Sequence, residues 1–212
     1  GVFYLPAIGN KAELQEGMAG RRTDLYQRML RNLAEQAQYL DAHGYYGIGF
    51  TEHHFHIEGE EVSTNPILLD MYLGMQTENI RLGQLGLVLP CQNPIRVAED
   101  IAILDQVTKG RAFAGFARGY QPRWVNTLGQ HYDTLADNNT DPERYETLKK
   151  ELYQEHFEII MEAWTNPTFS HSGKHWQIPP KDVFWPAHNV TREFGQGVDG
   201  KGIITELLSR KS

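Results

Sequence analysis

The richest set of chemically able side chains in this sequence is Glu52-His53-His54, with His56 close behind. An imidazole titrates near neutrality, so it can accept or donate a proton at working pH, and a neighbouring carboxylate can raise its basicity or hold its orientation. The same residues contain a His-x-His spacing, and imidazole with carboxylate suits zinc or iron. A catalytic metal needs three protein ligands around an open position, and no second His or Asp pair stands at a comparable place. A third reading gives one histidine to a buried backbone group and leaves the other solvated. Arg118, followed by Gly119 and Tyr120, is the other chemical feature. Its guanidinium can fork onto a phosphate, with Gly119 letting the backbone come close, or it can pair with a neighbouring carboxylate.

The elements that must position these groups alternate along the chain. Val2-Phe3-Tyr4-Leu5-Pro6 reads as a first strand. After a loop to Arg22, Thr23 and Asp24 are good N-cap types, and Leu25, Met29, Leu33, Ala37 and Leu40 then recur at a helical interval. His43-Gly44 ends that helix, since glycine can take the left-handed C-terminal conformation. Tyr45 to Phe50 is a second strand that opens into Glu52, His53 and His54, and strand alternation puts the two imidazoles on opposite faces. Asn65-Pro66 begins a helix. Ile80 to Pro90 is a third strand whose Gly83 and Gly86 mark a bulge or a close approach to the backbone.

Asn93-Pro94 opens another helix, with Ile95, Ala98, Ile101, Ala102, Leu104 and Val107 on its inner side. Its end, Asp105 to Arg111, carries charges that suit the helix dipole. Arg111 to Gly119 is a fourth strand, residues 137–141 an exposed loop, and Pro142 to Trp164 a long amphipathic helix. Ser170 to Trp185 suggests a hairpin around Ser172-Gly173, and Gly202-Ile203-Ile204 a further strand. Strands alternating with helices in this way select an α/β fold with a parallel sheet. No G-x-G-x-x-G turn follows the first strand, which removes the usual support for a dinucleotide-binding Rossmann fold. A complete (β/α)8 TIM barrel typically takes about 250 residues, so four βα units ending near Trp164 are on schedule for a barrel present only in part. The expected organisation is a single βα-barrel domain over 1–212, with 165–190 as a hairpin extension.

With 212 residues, 40% hydrophobic and 22% charged, the chain can bury a substantial core. A net charge of −7 and a pI near 5.7 argue against a nucleic-acid partner, whose non-specific affinity rests on clustered Lys and Arg. Cys91 is the sole cysteine, no apolar run approaches the roughly 18 residues of a membrane span, and no signal peptide is evident. A cytoplasmic protein without membrane contact is expected.

Three blocks carry a resemblance: TEHHF at Thr51 to Phe55, LPCQNPIRVAEDIAILDQVTKGR from Leu89 to Arg111, and FAGFARG ending at Gly119. Together they resemble the bacterial luciferase-like, flavin-dependent monooxygenases, and the match runs from Val2 to about Trp164. The resemblance implies a TIM barrel that binds reduced FMN, supplied by a separate flavin reductase, and uses oxygen to oxygenate a small organic substrate. It puts His53 at the active-site histidine, Glu52 on the flavin pocket, and Leu85-Gly86 against the flavin ring, often through a non-proline cis peptide. It makes Arg118 a phosphate ligand and brings Lys150 near a second phosphate position. A homodimer or heterodimer is implied as well. Ala117 stands where bacterial luciferase has a reactive cysteine, so light emission does not follow. A deazaflavin-dependent oxidoreductase, a metal-dependent barrel hydrolase and a non-catalytic flavin-binding partner subunit remain as alternatives.

Overall fold

A computed structural model describes residues 1–132, 141–184 and 197–208. The loop expected at 137–140 and the hairpin's Trp185 lie outside these residues. Contacts divide the chain into two compact units, Gly1–Val88 with Ile103–Leu128, and Leu89–Ala102 with the remainder from Gly129.

The first unit is built on a four-stranded sheet of β1 (Val2–Tyr4), β2 (Gly47–Phe50), β3 (Arg81–Gln84) and β5 (Ala112–Phe113), in that spatial order and all parallel. In register, Val2, Ile48 and Leu82 face one way, as do Tyr4, Phe50 and Gln84 two residues on. Ile48, Phe50 and Leu82 are fully buried in one apolar cluster with Leu25, Met29, Leu33 and Ala37 of helix α2 (Thr23–Ala42) and Leu69 and Leu73 of α3 (Pro66–Gly74). Each such side chain stabilises by about 1.5–3 kcal/mol, and this burial holds helices to sheet.

Local signals set the ends of these helices. Gly44 follows α2 at φ +70°, as its C-terminal position requires. Asn65 caps α3 by accepting from Leu68 N, and Pro66 sits at the first turn. The expected caps of α2 are corrected. Arg22 is the N-cap and makes no side-chain cap bond, while Asp24 pairs with the Arg22 guanidinium at 2.8 Å. A short helix α1 (Lys11–Gln15) also stands where a loop was expected. Asn10 caps it, and Glu13 accepts in return from Asn10 N, a capping box.

The third strand is broken. After β3, a cis Leu85-Gly86 peptide leads to β4 (Leu87–Val88). The fourth strand is likewise split into β5 and β6 (Phe116–Ala117), and β4 pairs with β6 in parallel. A β-carbon at Gly86 would stand 2.6 Å from Gly115 O, so the close approach expected at this glycine is that of the neighbouring strand. Helix α4 (Pro94–Thr108) buries Val97, Ile101, Leu104 and Thr108. Val107, expected inside, is 44% exposed because that spacing of four, three and four turns it outward. A further short helix, α5 (Pro122–Leu128), buries Trp124 and Val125.

The second unit centres on α6 (Pro142–Thr165), capped by Asp141, which accepts from Arg144 N. The expected hairpin is present as β8 (His171–Ser172) and β9 (Gln177–Ile178), antiparallel. The buried Glu155 carboxylate accepts from His175 N and Trp176 N and fixes its turn. His156 Nδ1 bonds Leu89 O at 2.7 Å and its Nε2 accepts from the Trp176 indole at 2.9 Å. Burial drives this imidazole down to about 4, so it is held neutral. Strand β7 (Thr168–Phe169) pairs with β10 (Leu207–Leu208), whereas the strand expected at 202–204 amounts to isolated bridges at Ile203 and Ile204. Among the described residues, no helix is long and apolar enough to cross a membrane.

Candidate functional site

The site lies at the C-terminal ends of the parallel strands of the first unit, where a βα barrel gathers its chemistry. β2 stops at Phe50, and the chain from Thr51 to His56 continues without regular strand pairing. Alternation therefore does not govern His53 and His54. Both imidazoles lie against Trp124, with ring centres 6.4 and 5.0 Å from the indole, which corrects the expectation of opposite faces.

Glu52 is fully buried, yet its carboxylate serves other partners than His53. One oxygen accepts from Val88 N at 2.7 Å and the other bonds His54 Nε2 at 3.0 Å. It therefore ties the end of β2 to β4 and fixes His54, a support role that the residue order pointed toward His53 instead. His53 is held separately. Its backbone N–H donates to Ser63 O at 2.9 Å, and its Nδ1 lies 2.9 Å from Thr51 Oγ1. Its Nε2 faces Glu61 Oε2 at 3.9 Å, too long for a hydrogen bond. Burial is the largest influence on this imidazole and holds it below its usual value, against the upward pull of Glu61 and Glu52.

Leu85 N donates to Phe50 O at 2.6 Å, so the Leu85-Gly86 corner sits directly beside the end of β2. The Leu85 side chain lies over Gly49 and remains 44% exposed, an apolar surface open to a ligand. Val88 pairs with Ala117, which sets exposed Arg118 one residue beyond the strand pair that Glu52 anchors. Glu52, His53, Leu85, Gly86 and Arg118 thus share one strand-end layer. Lys150 belongs to the second unit and is exposed on α6; its neighbour Lys149 is the buried lysine, paired with Glu146 at 2.6 Å.

Four contributors were not legible beforehand. His56 Nε2 donates to Gln121 Oε1 at 3.0 Å, and Gln121 also accepts from Trp124 Nε1 at 3.1 Å. Glu61 and Thr51 complete the surroundings of His53. Thr51 stands in the TEHHF block without a role being apparent, no motif marks Glu61, and Gln121 and Trp124 arrive from a stretch of the chain far from the histidines. Among the described residues, no three His, Cys, Asp or Glu side chains are grouped to hold a metal, because His54 and His56 are turned to Glu52 and Gln121.

A family model described as luciferase-like monooxygenase matches residues 9–194. The chain belongs to that family. Among luciferase-like monooxygenases, it is 27% identical over 179 residues to the alkanal monooxygenase beta chain of Photorhabdus luminescens, covering 84% of this chain and 47% of that one. Identity to 3,6-diketocamphane 1,6-monooxygenase of Pseudomonas putida is 30% over 112 residues, 53% of this chain and 29% of that one. A solved structure of the oxygenating constituent of 3,6-diketocamphane monooxygenase from Pseudomonas putida, a type II Baeyer-Villiger monooxygenase in complex with FMN, is similar at TM-score 0.61 and 26% identity. That likeness covers 76% of this chain and 40% of the other. The luciferase-like chain described here therefore spans less than half the length of these relatives, and its α/β architecture is part of their barrel.

Proposed function

We propose that the protein to which this chain belongs is an FMN-dependent monooxygenase that uses reduced flavin and oxygen to oxygenate a small organic substrate. The observation that carries this reading is the strand-end layer, where a buried imidazole, an exposed apolar side chain and an exposed guanidinium stand at the ends of adjacent strands of a chain in this family. The residues fit the group: Leu85 with Gly86 offers an apolar surface for a ring, and Arg118 offers a fork for a phosphate. Glu52 would back the pocket wall. Bound reduced FMN would supply the electrons that activate oxygen.

His53 is the proton-handling residue of this reading. Its depressed proton affinity keeps it neutral at working pH, so it presents one donor nitrogen and one acceptor. Burial under Trp124 keeps bulk water from competing for those positions. A separate flavin reductase, a dimeric assembly and a cytoplasmic location belong to the same proposal.

The test uses the full-length protein. It should bind reduced FMN in preference to a deazaflavin and consume oxygen when substrate is supplied. His53→Ala should lower oxygenation by about 10²–10⁴, the usual range for a general acid–base group, while FMN affinity persists. A protein that binds no flavin would sink the reading, and turnover unchanged by the substitution would move it to a partner-subunit role.

A further inference from the structure

Glu61 stands between two imidazoles. Its Oε2 lies 3.9 Å from His53 Nε2 and 3.5 Å from His56 Nδ1. The Gln121 amide nitrogen faces the same oxygen at 3.5 Å, while the Gln121 oxygen receives His56 and Trp124. The amide is thus oriented with its donor toward the carboxylate. The loop that carries Glu61 is pinned on several sides: Ile8 N bonds Gly59 O at 2.7 Å, Val62 N bonds Pro6 O at 2.8 Å, and Arg123 pairs with Glu58 at 2.8 Å. Glu61 itself adopts φ +49°, the left-handed region that residues other than glycine rarely occupy. The backbone of Glu61 is therefore held in place, and its carboxylate, with the side chain 28% exposed, is met by the Gln121 amide.

A neutral imidazole has one N–H, and a carboxylate nearby favours the tautomer that turns the N–H toward it unless the other nitrogen has a closer acceptor, as His56 Nε2 has in Gln121 Oε1 at 3.0 Å. For His53 this is Nε2–H, with the Thr51 hydroxyl then donating to Nδ1 over 2.9 Å. We propose that Glu61 is a positioning residue for His53: its carboxylate, set between the His53 and His56 rings, selects the Nε2–H tautomer. The 3.9 Å gap is too long for a hydrogen bond, so that N–H remains available to an oxygen acceptor on a bound molecule. Only the consequence for turnover rests on the monooxygenase reading; the tautomer does not.

The charges that face His53 are Glu61 and Glu52, which favour its protonated form, and His56 and His54, which oppose it. Removing Glu61 therefore lowers the proton affinity of His53 further. Isotope-labelled histidine NMR on the full chain reads both properties directly. The expected result is an Nε2–H tautomer in the native chain, and in Glu61→Gln a His53 titration midpoint lowered by about 0.5–1 pH unit, a three- to tenfold loss in proton affinity. Glu61→Asp should restore most of it. In the full-length enzyme, Glu61→Gln should shift the pH profile of turnover the same way with KM for substrate unchanged. An Nδ1–H tautomer in the native chain, or a His53 midpoint unmoved in both Glu61→Gln and Glu61→Ala, overturns the proposal. A midpoint that moves in a protein that binds no flavin leaves the proposal standing and removes the function above.

Discussion

Asp70 and Gln84 show how much a single buried pair can reveal. Both are fully buried, and Gln84 Nε2 donates to Asp70 Oδ2 at 2.6 Å. Asp70 Oδ1 and Gln84 Oε1 are left without partners, two acceptors with no hydrogen between them if the acid is ionised. Burial pushes the Asp70 carboxyl well above its ordinary value and so favours the protonated, uncharged acid, which has a hydrogen to donate. A raised folded value means that stability is complete below the unfolded value of 3.8 and declines as pH rises toward the folded one. Asp70→Asn should therefore be more stable than the native chain at neutral pH, by about 1 kcal/mol or more, and should abolish that decline. Urea unfolding across a pH series measures both. At this scale the sequence displays Glu52 and His53 as neighbours of a strand end, and Leu85-Gly86 through its unusual glycine. It cannot display Gln121 or Trp124, since their approach to the histidines depends on how distant segments pack and leaves no local period.

Between elements, Arg111 is the principal junction. Its guanidinium donates to Thr108 O, Thr77 Oγ1, Ile80 O, Gly74 O and Thr77 O, at distances of 2.8 to 3.1 Å. One side chain therefore closes the C-terminal end of α3, the start of β3 and the turn into β5. Read along the chain, it is one more charge at the end of α4; in space it bonds the last carbonyl of α4 and also closes the end of α3. Arg111→Lys keeps the charge but cannot reproduce the planar fork, and should cost about 2–3 kcal/mol in denaturant unfolding. Helices α2, α3, α4 and α6 were legible because several turns of apolar spacing accumulate into a signal, and Pro66, Pro94 and Pro142 mark their starts. Helices α1 and α5 are too short for a period to emerge, and the split of the third and fourth strands follows from Gly86 and Gly115 meeting across the sheet.

For the molecule as a whole, acid is the direction of weakness in addition to the base-side decline at Asp70. His156 is neutral when folded and titrates at about 4, against 6.5 for the free side chain. The unfolded chain takes up that proton first, so stability falls as pH drops from 6.5 toward about 4, by on the order of 3 kcal/mol. Asp41 acts in the same sense. Although burial alone would raise its carboxyl, bonds from Glu78 N, Ile80 N and Asn79 N hold it below its ordinary value, and their contribution is lost as it protonates. In Asp70→Asn, where the opposing trend of that acid is removed, thermal unfolding followed from neutral pH to about pH 2 should show this loss, and His156→Gln should flatten the part above about pH 4.

The Leu85-Gly86 corner bears on how sequences of this kind are compared. Gly86 is glycine because the Gly115 carbonyl occupies the room a side chain would need, whereas the Leu85 side chain lies over Gly49 and keeps a partly exposed face. A relative that keeps glycine at this point thereby records how its backbone runs and says nothing about what it oxidises. Divergence in chemistry would be written one residue earlier, in the size and polarity of what stands in place of Leu85.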